Sequence, residues 1–197
     1  MNYLVIPLGE ILAGEYNLQK IEEAFKRFSC DREKDLEDFL VHKAIEYEKI
    51  DFGKTYLCID RDALLQGEFE IIAYFTIANK SIDLDTLSGK QRRKIFGNYP
   101  GRDGLKSIPA YLIGQIGRCD RYTSEDISGE QLLRECYNTI SMAAKIVGGN
   151  MIVLECREYM FEKFYAGQGY KLFYKGLSDE GLYTLYRKID FREYWNH

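Results

Sequence analysis

The pattern of apolar and polar residues predicts helices in the first quarter of the chain. Two segments, 17–30 and 35–50, place apolar residues at the three- and four-residue spacing of a helix face. These residues are Ile21, Ala24, Phe25 and Phe28 in the first segment, and Leu36, Phe39, Leu40 and Tyr47 in the second. The spacing predicts two helices, or a bent pair, that end near Gly53.

Strand patterns follow these helices. The segment "TYLCID" (55–60) alternates, and "FEIIAYFTIA" (69–78) is a longer apolar run. The polar "RDALLQGE" between them contains a glycine, so the two strands are predicted to form a hairpin. The segment "IPAYLIGQIGR", Ile108 to Arg118, predicts a central strand, because its Pro109 lies only at the beginning, where a ladder tolerates it.

The segment from Asn79 to Ser107 separates these strands. It is polar, contains several glycines and is basic around Lys90, Arg92, Arg93 and Lys94. This composition predicts a long excursion or a small extra helix outside the core. A solvated loop is the ordinary interpretation of such a basic run.

The second half of the chain predicts a long helix and then a mixture of strands and a short helix. The helix begins at Gly129 and ends at Gly148 and Gly149. Its apolar face is Leu132, Leu133, Cys136, Tyr137, Ile140, Ala143, Ala144 and Val147. The segments "MIVLEC", "YKLFY" and "GLYTLYRKI" predict strands, and "REYMFEKFYAGQG" predicts a helix that its glycines stop.

This order of elements predicts one α/β (α+β) domain over residues 1–197, with a basic excursion at about 79–107. A strand–helix–strand unit within a mostly antiparallel set implies a mixed, twisted sheet flanked by helices. The length of 197 residues suits one domain with a sizeable core.

The composition excludes several classes of protein. The net charge is −4, so no global charge favours nucleic acid or a membrane surface. Five scattered cysteines and two histidines provide no familiar metal-ligand spacing, and the cysteines are predicted to be free thiols in a reducing cytoplasm. The start "MNYLVIPLGEIL" lacks the basic residues and cleavage site of a secretory signal, and no apolar stretch is long enough to span a membrane.

Two segments carry candidate chemistry. In the first, a strand leads through a loop into the long helix, whose free amides at Ile127, Ser128, Gly129 and Glu130 offer a seat for a pyrophosphate. Arg118 and Arg121 lie close in sequence and add positive charge. The alternative is a structural helix start with Ser128 as its N-cap.

The second segment is "FYAGQGY", residues 164–170. A tyrosine stands near the end of a helix, and a glycine stops that helix directly before a strand. Phe161, Phe164 and Tyr165 fit core positions, and Tyr165 also offers a hydroxyl to a reaction.

Together, the two segments and the order of elements resemble the GNAT superfamily of acyl-CoA-dependent N-acyltransferases. The segment "IPAYLIGQIGR…ISGEQLL" resembles the family's central strand, pyrophosphate loop and helix, and "FYAGQGY" resembles its F-Y-x-x-x-G-[FY] segment. The resemblance implies that acetyl-CoA is the co-substrate, that no metal is needed, and that Tyr165 protonates the departing CoA thiolate. Main-chain groups of Ile116, Gly117 and Arg118 would hold the pantetheine arm.

The correspondence is uneven along the chain. Of the family's pyrophosphate loop, [RQ]-x-x-G-x-[GA], only the last glycine is matched, by Gly129. Glu158 takes the place of an asparagine that many members carry. A base for the incoming ammonium is not evident: Glu155, Asp120 or water are alternatives.

Three functions follow as hypotheses. The first is transfer of an acetyl group from acetyl-CoA to a primary amine of a small molecule or peptide, by direct attack in a ternary complex. The second is acetylation of aminoacyl-tRNA, because "PAYLIGQIGR" after a basic, proline-bearing insert resembles the toxin-like branch of the family. The third is a catalytically silent GNAT fold that binds a partner. A membrane partner is not expected, and a homodimer is left open.

Overall fold

The computed structural model describes residues 2–14 and 18–195, and its centre is a seven-stranded sheet with the order β1-β2-β3-β4-β5-β7-β6. The β4–β5 pair is parallel and the other neighbouring pairs are antiparallel, which confirms the predicted mixed, mostly antiparallel sheet. The strands are β1 (Tyr3–Pro7), β2 (Lys54–Asp60), β3 (Ile71–Asp83), β4 (Ser107–Arg118), β5 (Met151–Cys156), β6 (Lys171–Leu172) and β7 (Tyr183–Lys188).

Helices connect these strands and cover both faces of the sheet. They are α1 (Leu8–Ala13), α2 (Leu18–Arg27), α3 (Lys34–His42), α4 (Ala44–Lys49), α5 (Arg61–Leu65), α6 (Gly89–Phe96), α7 (Gly129–Val147) and α8 (Glu158–Met160). A π-helical turn spans Phe161–Tyr165, and 3-10 turns span Arg102–Gly104 and Phe191–Tyr194. Within the described ranges, no helix has both the length and the apolarity that crossing a membrane requires.

Three apolar clusters define the layers. Alternate residues of a strand point to opposite faces, and β5 shows this directly: Ile152 and Leu154 pack with α7, whereas Met151 and Val153 pack with α6. The cluster beneath α1, α2 and α3 uses Leu57 and other residues on the face opposite α7. The helix α7 therefore covers one face, while α1–α3 and α6 share the other.

The predicted elements are largely confirmed. Within the predicted segments 17–30 and 35–50 the structure has α2 and the pair α3 and α4, although Asn17 itself lies outside the described residues. The β2–β3 hairpin, the central strand β4, the helix α7 and the strand β5 also form. The five cysteines are buried and free.

The predicted order of elements is wrong at the N-terminus. It began with helices, but the strand β1 comes first and pairs along the edge of the sheet with β2 from Tyr3↔Asp60 to Pro7↔Tyr56. The run "YLVIP" is only five residues long and shows no alternation, so its pattern is that of any short apolar stretch.

The segment 79–107 differs from the prediction of an excursion outside the core. Its ends extend β3 to Asp83 and start β4 at Ser107, and the two strands stay paired along this whole length. The helix α6 lies between them, and Ile82, Leu84 and Ile95 are buried against Met151 and the strands around it. Only the exposed side of α6 resembles the expected solvated loop.

Arg92 explains how this segment folds. The sequence groups it with a basic patch, but its side chain is only 9% exposed. The guanidinium donates to the backbone oxygens of Leu84 at 2.7 Å, Leu105 at 2.6 Å and Leu87 at 3.2 Å. Arg92 is therefore the internal brace of the insertion, while its neighbour Arg93 is exposed.

We expect Arg92→Met to lower the free energy of unfolding by about 3 kcal/mol, because it removes the charged donor that connects the backbone oxygens of Leu84, Leu87 and Leu105. Arg93→Met makes the same chemical change on the exposed side of α6 and should stay within about 0.5 kcal/mol of wild type. Urea denaturation of the two variants measures both values. Equal losses in the two variants would show that Arg92 is not a brace.

Candidate active site

The centre of the candidate site is a gap between two adjacent parallel strands. β4 and β5 pair only over Tyr111–Ile113 and Ile152–Leu154. Both strands continue beyond that point, β4 to Arg118 and β5 to Cys156, without further pairing. The main-chain groups along the gap-facing side of β4 are therefore not used by the β4–β5 ladder.

A single extra residue opens this gap. In the β3–β4 ladder Thr76 is opposite Gln115 and Ile77 is opposite Ile113, so Gly114 has no partner. An unmatched residue bends the strand that carries it and increases its local twist. The bulge at Gly114 lies directly after the last paired residue, Ile113, and turns β4 away from β5. Ile116, Gly117 and Arg118, the residues expected to hold a pantetheine arm, lie on the diverging part.

The helix α7 begins beyond the end of β4 and is capped by its own side chains. The Ser128 hydroxyl accepts from the Gln131 amide at 3.1 Å, and the Gln131 side chain accepts from the Ser128 amide at 2.7 Å. The capping interpretation of Ser128 is thus confirmed. The amides of Gly129 and Glu130 have no partner within residues 18–195, so they remain available to an anion.

The two arginines predicted to supply charge are held by protein groups. Arg118 donates to the backbone oxygens of Ile127 at 2.7 Å and Tyr122 at 3.1 Å, which folds the loop between β4 and α7 back on itself. Arg121 lies 2.7 Å from the carboxylate of Glu70. The side chain of Ile127 is buried in the core. Unlike these arginines, the first amides of α7 have no protein partner within residues 18–195.

Tyr165 lies at the end of the π-helical turn, which replaces the regular helix predicted over these residues. The wider turn is closed by a bond from the Ala166 amide to the Phe161 oxygen at 2.8 Å, five residues apart. Phe161 and Phe164 are only partly buried, but both pack against the main core cluster. The predicted strand "YKLFY" is reduced to the two residues of β6.

The environment of Tyr165 keeps its hydroxyl protonated. The side chain is 6% exposed, and burial raises the pKa of the hydroxyl well above its ordinary value. Its ring packs edge-on against Phe164 and Tyr170. The hydroxyl forms no hydrogen bond to any residue the structure describes, so its proton is not committed to a protein acceptor.

The two segments singled out from the sequence contact each other. A Cβ added to Gly129 would lie 3.0 Å from the Phe164 ring, so the ring rests on the first residue of α7. One residue later, Glu130 accepts a hydrogen bond from the Gln168 side chain at 2.9 Å. The start of α7 and the turn that carries Tyr165 are therefore one structural unit, joined by the Gly129–Phe164 and Glu130–Gln168 contacts.

The carboxylates considered as bases have partners in the structure. Glu155 pairs with Lys80 at 2.6 Å, and Asp120 accepts from the Asp31 amide at 2.6 Å. Glu158, at the position where the family carries an asparagine, accepts from the Tyr183 hydroxyl at 2.8 Å. Glu155 lies on β5, the strand that borders the gap, whereas Asp120 lies two residues beyond the end of β4.

A cleft next to the gap was not predicted from the sequence. It has a volume of about 830 Å³, includes Gly114 and Gln115, and is lined by residues of α3 and α4 as well as by Thr139, Ile140 and Ala143 of α7. Its aromatic wall consists of Phe39, Tyr47 and Phe52. These residues come from two helices and a turn, and in the sequence each has the pattern of an ordinary core residue. No sequence signal distinguishes them.

Among the described residues, no group of histidine, cysteine and carboxylate side chains could hold a metal ion.

Comparison with known proteins identifies the fold. No family model matches the sequence, and no curated protein is significantly similar to it. Solved structures do match. A structure described as a bacterial toxin superposes with a TM-score of 0.70 at 14% identity, covering 100% of this chain and 97% of its own. A tyrosine-to-phenylalanine variant of KacT gives 0.68 at 15% identity, with 95% of each chain covered.

AtaT in complex with acetyl-methionyl-tRNAfMet gives a TM-score of 0.65 at 17% identity, with 93% of this chain and 94% of AtaT covered. The protein therefore has the GNAT fold that the two sequence segments indicated. Within that fold it is similar over nearly its whole length to the toxins AtaT and KacT.

We expect Gly129→Ala to destabilise the site, because its methyl group would force the Phe164 ring away. Overpacking of this kind costs about 1–3 kcal/mol, and Phe164→Leu in the same chain should recover most of it. Gly89→Ala is the matched control, since Gly89 also follows a capping serine at the start of a helix but has nothing within 4 Å. A double-mutant cycle by thermal or urea unfolding measures the coupling. Purely additive effects would contradict the contact.

Proposed function

We propose that this protein is an acetyl-CoA-dependent N-acetyltransferase, and that its acceptor is the α-amine of an aminoacyl-tRNA. The observation that carries the proposal is the joined unit of the β4–β5 gap, the start of α7 and the buried Tyr165. This unit supplies a slot with free main-chain groups, a seat for an anion and a protonated hydroxyl, which are the features that acyl transfer from a CoA thioester requires.

The residues present fit acetyl-CoA as a substrate. Its pyrophosphate would take the amides of Gly129 and Glu130 at the positive end of α7. The Glu130 carboxylate is held by Gln168, away from those amides. The pantetheine arm, a chain of amides, would run along the free edge of β4 past Ile116. Gly117 lies beneath Leu36 of α3, where a Cβ would overlap that side chain, so β4 approaches this helix closely.

The chemistry follows from these positions. A neutral amine attacks the thioester carbon, the carbonyl oxygen gains negative charge, and a fixed main-chain N–H on β4 stabilises it. The C–S bond then breaks and the sulfur leaves as a thiolate. Tyr165 donates its proton to that sulfur as the C–S bond breaks. Because the thiol has a pKa of about 8.5 and burial raises the pKa of the phenol above its ordinary value of about 10, this transfer is uphill by itself and is driven by collapse of the tetrahedral intermediate. The attacking nitrogen loses its extra proton to water, and water returns a proton to the phenolate.

The acceptor side supports a large, anionic substrate with an amine at its end. The aromatic cleft reaches Gly114 beside the gap and is lined both by Phe39 of α3 and by Thr139 of α7, so an acceptor that enters it would meet β4 where its pairing with β5 ends. Lys94 of α6 lines a separate groove with Lys171 and Lys175, next to Phe161 of the π-helical turn. Within residues 18–195 none of these three lysines forms an ion pair. AtaT, which shares the fold, has been solved with acetyl-methionyl-tRNAfMet.

We expect Tyr165→Phe to lower kcat by about a hundredfold or more, the usual contribution of a general acid. Binding of acetyl-CoA should be unchanged. Acetyl-CoA at about a hundred times its Kd should therefore stabilise wild type and variant alike by about 2.7 kcal/mol. Single-turnover kinetics and thermal unfolding measure the two quantities. Tyr170→Phe is the matched control: Tyr170 is equally buried, but its hydroxyl is bonded to Tyr137 at 3.2 Å, so turnover should persist.

Two outcomes would count against this assignment. An unchanged rate in Tyr165→Phe would remove the hydroxyl from the mechanism. The absence of any stabilisation by millimolar acetyl-CoA would favour a silent GNAT fold over an enzyme.

The pH dependence of kcat provides a further prediction. A general acid acts while protonated, and because burial raises the pKa of Tyr165, it stays protonated throughout the neutral and mildly alkaline range. The acceptor amine, with a pKa of about 8, reacts only when neutral. We therefore expect kcat to rise through about pH 8 and stay flat to about pH 9.5. A decline that reaches half of the maximal kcat near pH 10, and that Tyr165→Phe abolishes, would show that the hydroxyl titrates with its ordinary pKa of about 10.

A further inference from the structure

Three groups that are distant in sequence meet at the mouth of the gap. The Arg157 Nε lies 3.0 and 3.2 Å from the two carboxylate oxygens of Glu33, and the Tyr159 hydroxyl donates to the same carboxylate at 2.8 Å. Glu33 stands at the N-cap position of α3, yet its side chain makes no capping bond there. Its carboxylate instead faces Arg157 and Tyr159.

The contact between Glu33 and Arg157 lies beside the gap between β4 and β5, where the proposed reaction would take place. Arg157 is the first residue after β5, the strand that borders the gap. On the other side, Leu36 packs against Gly117 of β4, so the first turn of α3 lies over the end of that strand. The Glu33 contact therefore spans the gap from β4 to β5 on the face covered by α3, whose Phe39 also lines the aromatic cleft.

The donors in this contact suit a phosphate. A guanidinium and a phenol that converge on two carboxylate oxygens present the same hydrogen-bond geometry to two oxygens of a phosphodiester. They are also accessible, since the side chain of Arg157 is 49% exposed and Tyr159 is 45% exposed. Charges of both signs surround these donors: Arg32 lies close enough to Tyr159 to influence its hydroxyl, and the carboxylate of Asp35 lies 3.9 Å from the Arg157 guanidinium.

We propose that Arg157 and Tyr159 form a binding site for a backbone phosphate near the 3′ end of the RNA acceptor, and that Glu33 occupies this site when RNA is absent. The carboxylate acts as an internal competitor that the phosphate displaces. This inference rests on the proposed function, because it assigns the phosphate to the same acceptor.

The energetics permit a phosphate to replace the Glu33 carboxylate at Arg157 and Tyr159. Ion pairs with this degree of exposure contribute little to stability, so displacing Glu33 reduces the affinity for RNA by only about two- to fivefold. An arginine–phosphate contact also releases a counterion, so the affinity should depend on salt. Removing the competitor should then tighten binding of RNA, whereas removal of an ordinary structural ion pair would leave it unchanged or weaken it.

The test is binding of a fluorescently labelled, uncharged RNA hairpin ending in CCA, measured by anisotropy over a range of salt concentrations. Glu33→Gln should tighten binding about threefold. Arg157→Ala should weaken it about tenfold and lower the slope of log K against log salt by about one. In the Arg157→Ala background, Glu33→Gln should have no further effect, because the two residues act on one site.

The matched control is Glu46→Gln, which removes the same charge from an exposed glutamate paired with Lys49 at 3.2 Å on α4. Equal tightening by Glu46→Gln and Glu33→Gln would overturn the inference, since the effect would then be general electrostatics. Acetyl-CoA binding provides a second arm: if Arg157→Ala weakens acetyl-CoA but not RNA, the phosphate belongs to CoA and the inference is wrong. Failure of the wild-type protein to bind the hairpin, with acetyl-CoA binding intact, would instead reject the RNA acceptor itself.

Discussion

Gly114 has no partner across the β3–β4 ladder, and the site is built around this unmatched residue. Continuous parallel pairing of β4 and β5 would satisfy every main-chain group between them and leave no room for a substrate. The bulge ends that pairing after Ile113 and frees the edge of β4 as far as Arg118. Substrates that bind there would complete hydrogen bonds that the sheet itself omits.

The second constraint is the packing of Phe164 on Gly129. It connects the start of α7 to the turn that carries Tyr165, so a displacement of one segment moves the other. The π-helical geometry of that turn contributes to this arrangement. A widened turn changes the direction of the side chains at its end, where Tyr165 lies. The insertion around α6 is less closely coupled to this unit. It closes the other face of the sheet, with Arg92 as its brace.

Much of this structure was predictable where the pattern is long and regular. The nineteen residues of α7 show the helical period through five turns, and β4 combines strand formers with a proline at its beginning. The motif around Tyr165 indicates the fold from the sequence alone. Strand β1 was missed because five apolar residues have no distinctive period.

Other features depend on tertiary contacts that local sequence does not encode. Nothing in "KQRRKIF" distinguishes the buried Arg92 from the exposed Arg93, since its partners are carbonyls up to thirteen residues away. The engagement of Arg121 by Glu70, and of Glu33 by Arg157, joins segments that lie far apart in the chain. The aromatic cleft is likewise assembled from separate elements.

The central claim is that this unit transfers an acetyl group to the amine of an aminoacyl-tRNA. The most direct measurement is to incubate the protein with isotopically labelled acetyl-CoA and charged tRNA, then to hydrolyse the ester and identify the released amino acids by mass spectrometry. The account predicts labelled N-acetyl amino acids that depend on Tyr165 and on the amino acid being attached to tRNA. Labelled products from free amino acids or peptides alone, with charged tRNA unmodified, would contradict it.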